Sequence, residues 1–185
     1  MSAATIAEPA LMTVNEFMRL HGNEPGVELV RGRVVRLPMA GLDHGEVCVT
    51  ACLILGGFVK AHGLGRVMSN DAIVPTGEHS ARGADVCFFS YNRLPKNVPT
   101  PRVADVPPEL VIEVRSPTDR MKAIAEKIDE YLEAGVDVVV LLEPAVQVAT
   151  VFRKDADQRQ LSSKDELSLP DVLPGFSVRV GQFFE

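Results

Sequence analysis

Several residue types are scarce or missing from this chain of 185 residues, and each shortage narrows the possible functions. Tryptophan is absent and aromatic residues make up 5% of the chain, which leaves little surface for stacking against sugar rings. The three cysteines form no CxxC pair, so neither a disulfide framework nor a zinc site is expected. We interpret Cys48, Cys52 and Cys87 as small buried apolar residues of a protein in a reducing cytoplasm.

The chain also lacks a positive net charge and a long uncharged apolar run. Its formal net charge is −6, whereas strong non-specific binders of nucleic acid usually carry a positive surface, although a local basic patch is not excluded. The start, "MSAATIAEPALMTVNEF", has no basic segment followed by an apolar one, so a secretory signal is not expected. No stretch of eighteen uncharged apolar residues occurs, so a transmembrane helix is not expected either. We therefore predict a cytoplasmic protein that does not enter a membrane.

What the chain does contain is the composition of a globular domain. Apolar residues make up 46% and charged residues 24%, and the length is sufficient to bury a substantial core. We expect residues 1–12 to be disordered and residues 13–185 to form a single domain.

The order of the predicted elements indicates an α/β fold. Thr13 and Glu16 have the spacing of a capping box at the start of a short helix. The other predicted elements are a hairpin over 27–37, a buried helix over 44–62, strands over 66–74, 84–92 and 109–116, a helix over 119–134, strands over 136–144 and 147–154, and one more short strand near the end. Runs that are apolar on both faces predict a mixed sheet covered by helices on both sides. The unit 109–142 is expected to be a parallel strand–helix–strand crossover.

An acidic residue interrupts one of the apolar strands. The segment "PELVIEVRSP" (108–117) is typical of a buried strand, yet Glu113 lies in its middle. A buried carboxylate is costly unless it is paired or bound to a metal. Because side chains alternate across a strand, Glu113 and Arg115 are expected on the same face. Glu113 is therefore either half of a structural ion pair with Arg115 or part of a functional site.

A second carboxylate, Asp85, favours a functional site. It opens the predicted strand 84–92 after the polar segment "SARG" and, taken alone, is more typical of a strand start or a turn. If the two strands are adjacent, Asp85 and Glu113 together form a hard-oxygen site of the kind that Mg²⁺ or Mn²⁺ prefers. The metal would offset the repulsion between the two carboxylates.

The predicted helix 119–134 brings a lysine towards the same place. Its apolar stripe consists of Met121, Ile124, Ile128, Tyr131 and Leu132. Lys127 lies about 90° from the centre of that stripe, nearer to the buried face than Lys122. It is either a boundary lysine whose stem covers apolar surface or a cation that faces the two carboxylates.

These segments, taken in order, resemble a known family. The series "VELVRGRVV", His44, "RGADV", "PELVIEVRSP", "EKIDEYLEAGVDVVVLLEP", "VATVFR" and "LPGFSVRVGQFF" is similar to the Uma-type restriction endonuclease family, which belongs to the PD-(D/E)XK nuclease superfamily. The resemblance covers about residues 13–185. It implies a restriction-endonuclease-like core, in which a central mixed sheet is flanked by helices and the site lies at one end of the central strands.

The resemblance also implies a metal site. Asp85 corresponds to the Asp of the family's "RPDV" motif, with Ala84 in place of the proline, and Glu113 corresponds to the first acid of the "EXK" element. These two carboxylates and the backbone carbonyl of Val114 are the expected ligands of Mg²⁺ or Mn²⁺. Glu28 corresponds to a recurrent Glu of the same pocket, where it would hold a metal-bound water or a second ion.

Three basic residues complete the implied site. The lysine position of "EXK" is Arg115, which cannot readily release its proton and so cannot be a general base, although it can stabilise charge on a phosphate. Lys127 corresponds to a helix lysine of the family and, because burial can lower the pKa of a lysine, is the expected group to orient or deprotonate water. His44 corresponds to a recurrent His ahead of the long helix, although alone it is more typical of a helix start. Either Arg115 or His44 is expected to contact the scissile phosphate.

The leading hypothesis is therefore a magnesium-dependent endonuclease that hydrolyses phosphodiester bonds of DNA. The expected fold is compatible with a homodimer. The alternative is a non-catalytic module that binds nucleic acid or supports assembly and retains the fold, which Arg115 and the acidic balance favour. A third interpretation is a glycosidase in which Asp85 and Glu113 are the acid pair. The shortage of aromatic residues disfavours it.

Overall fold

A mixed eight-stranded sheet forms the centre of the protein in the computed structural model, which describes residues 11–185. Its strands are β1 (Val27–Val30), β2 (Arg33–Arg36), β3 (Gly65–Gly77), β4 (Ser80–Ser90), β5 (Leu110–Val114), β6 (Val138–Glu143), β7 (Val148–Phe152) and β8 (Arg159–Ser162). The strand order is β2-β1-β4-β5-β6-β7-β8, and β3 pairs with β4 as well. Two further strands, β9 (Glu166–Ser168) and β10 (Ser177–Arg179), form a separate pair, followed by a 3-10 helix over Val180–Phe184.

Within residues 11–185, three α-helices accompany the sheet: α1 (Val14–Leu20), α2 (Leu42–His62) and α3 (Met121–Glu133). Strands β5 and β6 are parallel and are joined through α3, while the other strand pairs of the sheet are antiparallel. The predicted mixed sheet and the predicted parallel crossover are both confirmed, and with them the α/β fold class.

The two long helices cover opposite faces of the sheet. Helix α2 packs against a core that includes Ile112 and Val140, whereas α3 packs against a core that includes Val111 and Val139. Neighbouring residues of β5 thus face opposite helices, as the alternation of side chains requires. This alternation points the odd-numbered residues of β5 at α3, and Glu113 is one of them.

Helix α2 differs from its prediction in exposure. It was expected to be a buried helix, but only one stripe is buried, formed by Val47, Ala51, Leu55 and Val59. Leu42, at its first turn, is 96% exposed. The helix is long and apolar enough to cross a membrane by length and composition alone, but its buried stripe packs on the sheet as a core helix of a globular protein does.

Several element boundaries also differ from the prediction, and one of them affects the site. The capping box of Thr13 and Glu16 is confirmed, and so is the first hairpin, whose turn has positive φ at Arg31 and Gly32. Strand β4, however, begins at Ser80, because "SARG" pairs with the far end of β3. Asp85 therefore lies inside a strand rather than at its start. Of the segment 1–12, residues 1–10 lie outside the described residues.

The C-terminal region contains more strands than predicted. One short strand was expected there, whereas β8, β9 and β10 are present. Each has only three or four residues with a single buried position, a pattern too short to recognise from alternation.

Candidate active site

The carboxylate of Glu113 lies on β5 and faces α3. Its side chain receives two hydrogen bonds from that helix, one from Lys127 Nζ to Oε2 at 2.8 Å and one from the Tyr131 hydroxyl to Oε1 at 2.9 Å. Glu113 is 8% exposed, and this burial raises its pKa to about 7 although the ammonium of Lys127 acts in the opposite direction. Each carboxylate oxygen keeps a second lone pair after accepting one bond, so both can still bind another group.

Lys127 is held by oxygens on three sides. Besides Glu113, its ammonium donates to the backbone carbonyl of Gly83 at 2.7 Å and lies 3.2 Å from Glu28 Oε1. The predicted contact with the carboxylates is thus present, and Lys127 is not a boundary lysine pointing to solvent. Burial alone would lower its pKa, but the carboxylates of Glu113 and Glu28 outweigh burial and raise it. The expectation of a lowered pKa is wrong, so Lys127 is a proton-bearing cation that can orient water rather than a ready base.

Glu28 enters the same cluster from β1. Its carboxylate accepts hydrogen bonds from Arg82 Nη1 at 2.9 Å and from the backbone N–H of Gly83 at 3.0 Å, and only 3% of the residue is exposed. Burial would raise its pKa, but the charges of Lys127 and Arg82 prevail and lower it. With three protein donors around it, Glu28 has the contacts of a residue that holds Lys127 and Arg82 in position.

Three residues of this network were not predicted to belong to it: Arg82, Glu130 and Tyr131. The guanidinium of Arg82 joins Glu28 to Glu130 of α3, to which it donates from Nε at 2.7 Å and from Nη2 at 2.9 Å. Tyr131 was predicted only as part of the apolar stripe, and its ring is indeed buried, but its hydroxyl contacts Glu113. The available signal was spacing: Glu130 and Tyr131 follow Lys127 by three and four residues and so share its side of the helix.

Asp85 lies on β4 next to Glu113. In the antiparallel register of β4 with β5, Val86 pairs with Ile112, so Asp85 and Glu113 are the next residues along the two strands. Asp85 Oδ2 accepts the backbone N–H of Val114 at 2.7 Å. The predicted placement of two carboxylates on adjacent strands is therefore confirmed.

His44 approaches Asp85 from α2. Its Nε2 lies 3.3 Å from Asp85 Oδ2, and its Nδ1 lies 3.5 Å from the Sγ of Cys48, one helical turn further on. The hydrogen bond with Asp85, and then that with Cys48, raise the pKa of His44 to about 10. His44 is therefore more than a helix-start residue. Burial raises the pKa of the Cys48 thiol, and Cys48 packs against the core as predicted while its sulfur also contacts His44.

Arg115 lies apart from Glu113. Strand β5 ends at Val114, and the Arg115 guanidinium donates to Glu143 Oε1 at 2.6 Å. The structural pair of Glu113 with Arg115 is wrong, because the alternation that predicted it does not extend past the end of the strand. The Arg115 side chain is one-third exposed and follows directly after the end of β5, the strand that carries Glu113.

A further acidic residue near the site comes from an irregularity in β3. The register of β3 with β4 shifts between Ser69 and Ala72, and the two residues between them, Asn70 and Asp71, have positive φ. This bulge brings Asp71 against Gly83, where a Cβ atom on Gly83 would lie 3.0 Å from that of Asp71. Burial, followed by the charge of Asp85, raises the pKa of Asp71. Bulges often occur beside active sites, but the sequence offered only the pair Asn-Asp as a signal.

The residues present fit a divalent cation. Asp85 and Glu113 offer the carboxylate oxygens that Mg²⁺ and Mn²⁺ prefer, on adjacent strands at one end of the sheet. A second group of candidate ligands is formed by His44, Cys48 and Asp85, whose ligand atoms all lie within 4.8 Å of one another.

A sheet between helices, with two carboxylates on its central strands and a lysine that reaches them from α3, is the restriction-endonuclease-like arrangement expected from the sequence. Comparison with known proteins gives the family: residues 14–181 match the sequence model of the Uma2 family, described as "Putative restriction endonuclease". The chain belongs to this family.

A solved structure supports the fold. It is described as a "putative nuclease belonging to DUF820" from Anabaena variabilis ATCC 29413, with a TM-score of 0.83 and 20% sequence identity, over 94% of this chain and 97% of that chain. A search of curated proteins found no match.

Proposed function

We propose that the protein is a nuclease that hydrolyses phosphodiester bonds of DNA with the help of Mg²⁺ or Mn²⁺. Membership of the restriction endonuclease family supports nuclease chemistry in general. The observation that carries the more specific proposal is the position of Asp85 and Glu113 on paired strands, with Lys127 Nζ 2.8 Å from Glu113.

Each residue has a task that its contacts support. Asp85 and Glu113 would hold the cation, which supplies Lewis-acid stabilisation of charge on the phosphate. The ammonium of Lys127, fixed by Glu113 and the carbonyl of Gly83, would orient the attacking water by donating a hydrogen bond. Glu28 would hold Lys127 at this point rather than bind a metal-bound water directly, because its oxygens already accept donors from the protein.

The phosphate would be bound by basic groups on the open side of the site. Arg115 is one-third exposed and bound to Glu143, so its free N–H groups can reach a phosphate oxygen. His44 carries a raised pKa beside Asp85, which favours the protonated imidazole. Binding of DNA to a chain with a net charge of −6 would depend on such local cations.

The alternative function is a non-catalytic module that binds nucleic acid or supports assembly. Its supporting observation is Arg115, which stands at the lysine position of the motif and is engaged by Glu143. A homodimer, a cytoplasmic location and the absence of a membrane-spanning role stay predictions.

Cleavage of supercoiled plasmid and of single-stranded DNA with and without Mg²⁺ tests the proposal. We expect cleavage by the wild type that needs the cation, and loss of cleavage in Asp85→Asn, Glu113→Gln and Lys127→Met. The matched controls are Asp129→Asn and Lys122→Met, which change exposed residues of α3 and are expected to retain cleavage. Equal cleavage by Asp85→Asn and the wild type would refute the proposed site, and DNA binding without cleavage would favour the alternative.

A further inference from the structure

Two potential metal ligands lie one turn apart on α2 and face the same strand. His44 and Cys48 are separated by four residues, the spacing that places two side chains on one face of a helix. Both are half-buried, and the carboxylate of Asp85 on β4 closes the group. A nitrogen, a sulfur and an oxygen therefore converge from two rigid elements.

The separations of these atoms are close to those of ligands around one cation. For a tetrahedral site with Zn–N and Zn–O distances of about 2.0 Å and a Zn–S distance of about 2.3 Å, neighbouring N and O atoms lie about 3.3 Å apart and N and S atoms about 3.5 Å apart. His44 Nε2 lies 3.3 Å from Asp85 Oδ2 and 4.0 Å from Cys48 Sγ. The three ligand atoms all lie within 4.8 Å of one another, so the Cys48 sulfur has to move closer to His44 and Asp85 for all three to bind one ion.

The donor set selects the class of cation. Thiolate and imidazole suit Zn²⁺ and similar borderline ions, whereas Mg²⁺ prefers oxygen ligands alone. We propose that His44, Cys48 and Asp85 form a second cation site that binds Zn²⁺ or a related transition-metal ion through three protein ligands and one open position. The sequence did not predict this site for two reasons. It contains no CxxC pair, and the third ligand, Asp85, lies on a strand distant in the chain from His44 and Cys48.

The proposed site shares one residue with the proposed nuclease centre. Because Asp85 is a ligand in both, Zn²⁺ bound to His44 and Cys48 would hold Asp85 away from Mg²⁺, so zinc would inhibit Mg²⁺-dependent cleavage. This consequence rests on the proposed function, whereas binding of the transition metal does not.

Titration of the full-length, metal-free protein with Co²⁺, followed by optical absorption, tests the binding. A cobalt ion bound to a cysteine sulfur gives a thiolate-to-metal charge-transfer band in the near ultraviolet, and Zn²⁺ added afterwards should remove the band by displacing the cobalt. We expect this band at one equivalent in the wild type and in Glu113→Gln, which leaves all three ligands in place.

The variants are chosen to identify the ligands. Cys48→Ser should lack the band, whereas Cys52→Ser, one turn further along the same helix, should retain it. His44→Ala should weaken Co²⁺ binding at least about tenfold, because even loss of an outer-shell partner commonly weakens metal binding that much. Thermal unfolding of each metal-free variant checks that it is folded, and Cys48→Ala replaces Cys48→Ser if the latter is not.

Two results would overturn the inference: no thiolate band in the wild type, or a band that persists in Cys48→Ser. A band without Mg²⁺-dependent cleavage would support the cation site and refute the nuclease proposal. Cleavage without a band would support the nuclease proposal and refute the cation site.

Discussion

Replacement of Arg82 by methionine tests how strongly the buried ion network supports the fold. Arg82 is 7% exposed and its guanidinium joins Glu28 to Glu130, so Arg82→Met keeps the length of the side chain and removes the cation that both carboxylates share. Removal of one partner from a buried ion pair typically costs about 3–5 kcal/mol, because it leaves an uncompensated charge.

The contacts that survive the substitution place the expected loss at the lower end of this range. Glu28 keeps Lys127 at 3.2 Å and the N–H of Gly83 at 3.0 Å. The side chain of Glu130 is 15% exposed, so water can reach it once Arg82 is gone. We expect a loss of about 3 kcal/mol in the free energy of unfolding, equivalent to a fall in Tm of about 6–12 °C for a chain of this size.

Urea unfolding followed by circular dichroism, without added metal, measures this loss. The control is Arg33→Met, an exposed arginine of β2, which should change the free energy of unfolding by less than about 0.5 kcal/mol. A double-mutant cycle of Arg82→Met with Glu130→Gln should give a coupling energy of about 1–3 kcal/mol. A loss below about 1 kcal/mol for Arg82→Met would refute the reasoning, because the network would then contribute no more than a surface ion pair.

Three other changes have outcomes that follow from single contacts. Tyr131→Phe removes the hydroxyl that is hydrogen-bonded to Glu113. It should lower the free energy of unfolding by about 2 kcal/mol in urea titrations, since hydrogen bonds to charged groups are worth about 1.5–3 kcal/mol. An unchanged free energy of unfolding would mean that this hydrogen bond does not stabilise the fold. Gly65→Ala should cost about 1–3 kcal/mol in the same assay, because the new Cβ would collide with a backbone carbonyl of β4; wild-type stability would contradict this contact. Hydrogen bonds from Arg153 lower the pKa of Asp171 below its ordinary value of 3.8. The ion pair therefore stabilises the fold above pH 3.8. This contribution is lost as the pH falls through the folded-state pKa of Asp171. Acid titration of Arg153→Met should therefore show a smaller loss of stability over that pH range than the wild type, and identical acid limbs would contradict the assignment.

The fold was largely predictable because its elements have strong local patterns. The continuous apolar runs of β5 and β6 with a helix between them specify a parallel unit covered on both faces, and the capping box of Thr13 and Glu16 marks the start of α1. The short strands β8 and β9 were missed because three or four residues carry too little periodicity. The early start of β4 was missed because "SARG" has no apolar alternation and pairs only through the long hairpin with β3.

The candidate site was predictable in position but not in its full set of contacts. Asp85, Glu113 and Lys127 were recognised as polar residues within or beside apolar patterns, and the structure places them together. The partnership of Arg82 with Glu28 joins residues 54 positions apart in the chain, and no local spacing reveals such a contact. The direction of the pKa shift of a buried lysine likewise depends on how many carboxylates surround it, which is a property of the tertiary structure.

The buried carboxylates of the site are paired with donors from the protein itself. Glu113 is paired with Lys127, Glu28 accepts three donors, and Asp85 accepts the N–H of Val114 and faces His44. Each buried carboxylate thus has a protein partner that offsets its desolvation, in contrast to small metal domains that are unfolded without their ion. A cation that binds at this site must compete with those donors for the same carboxylate oxygens.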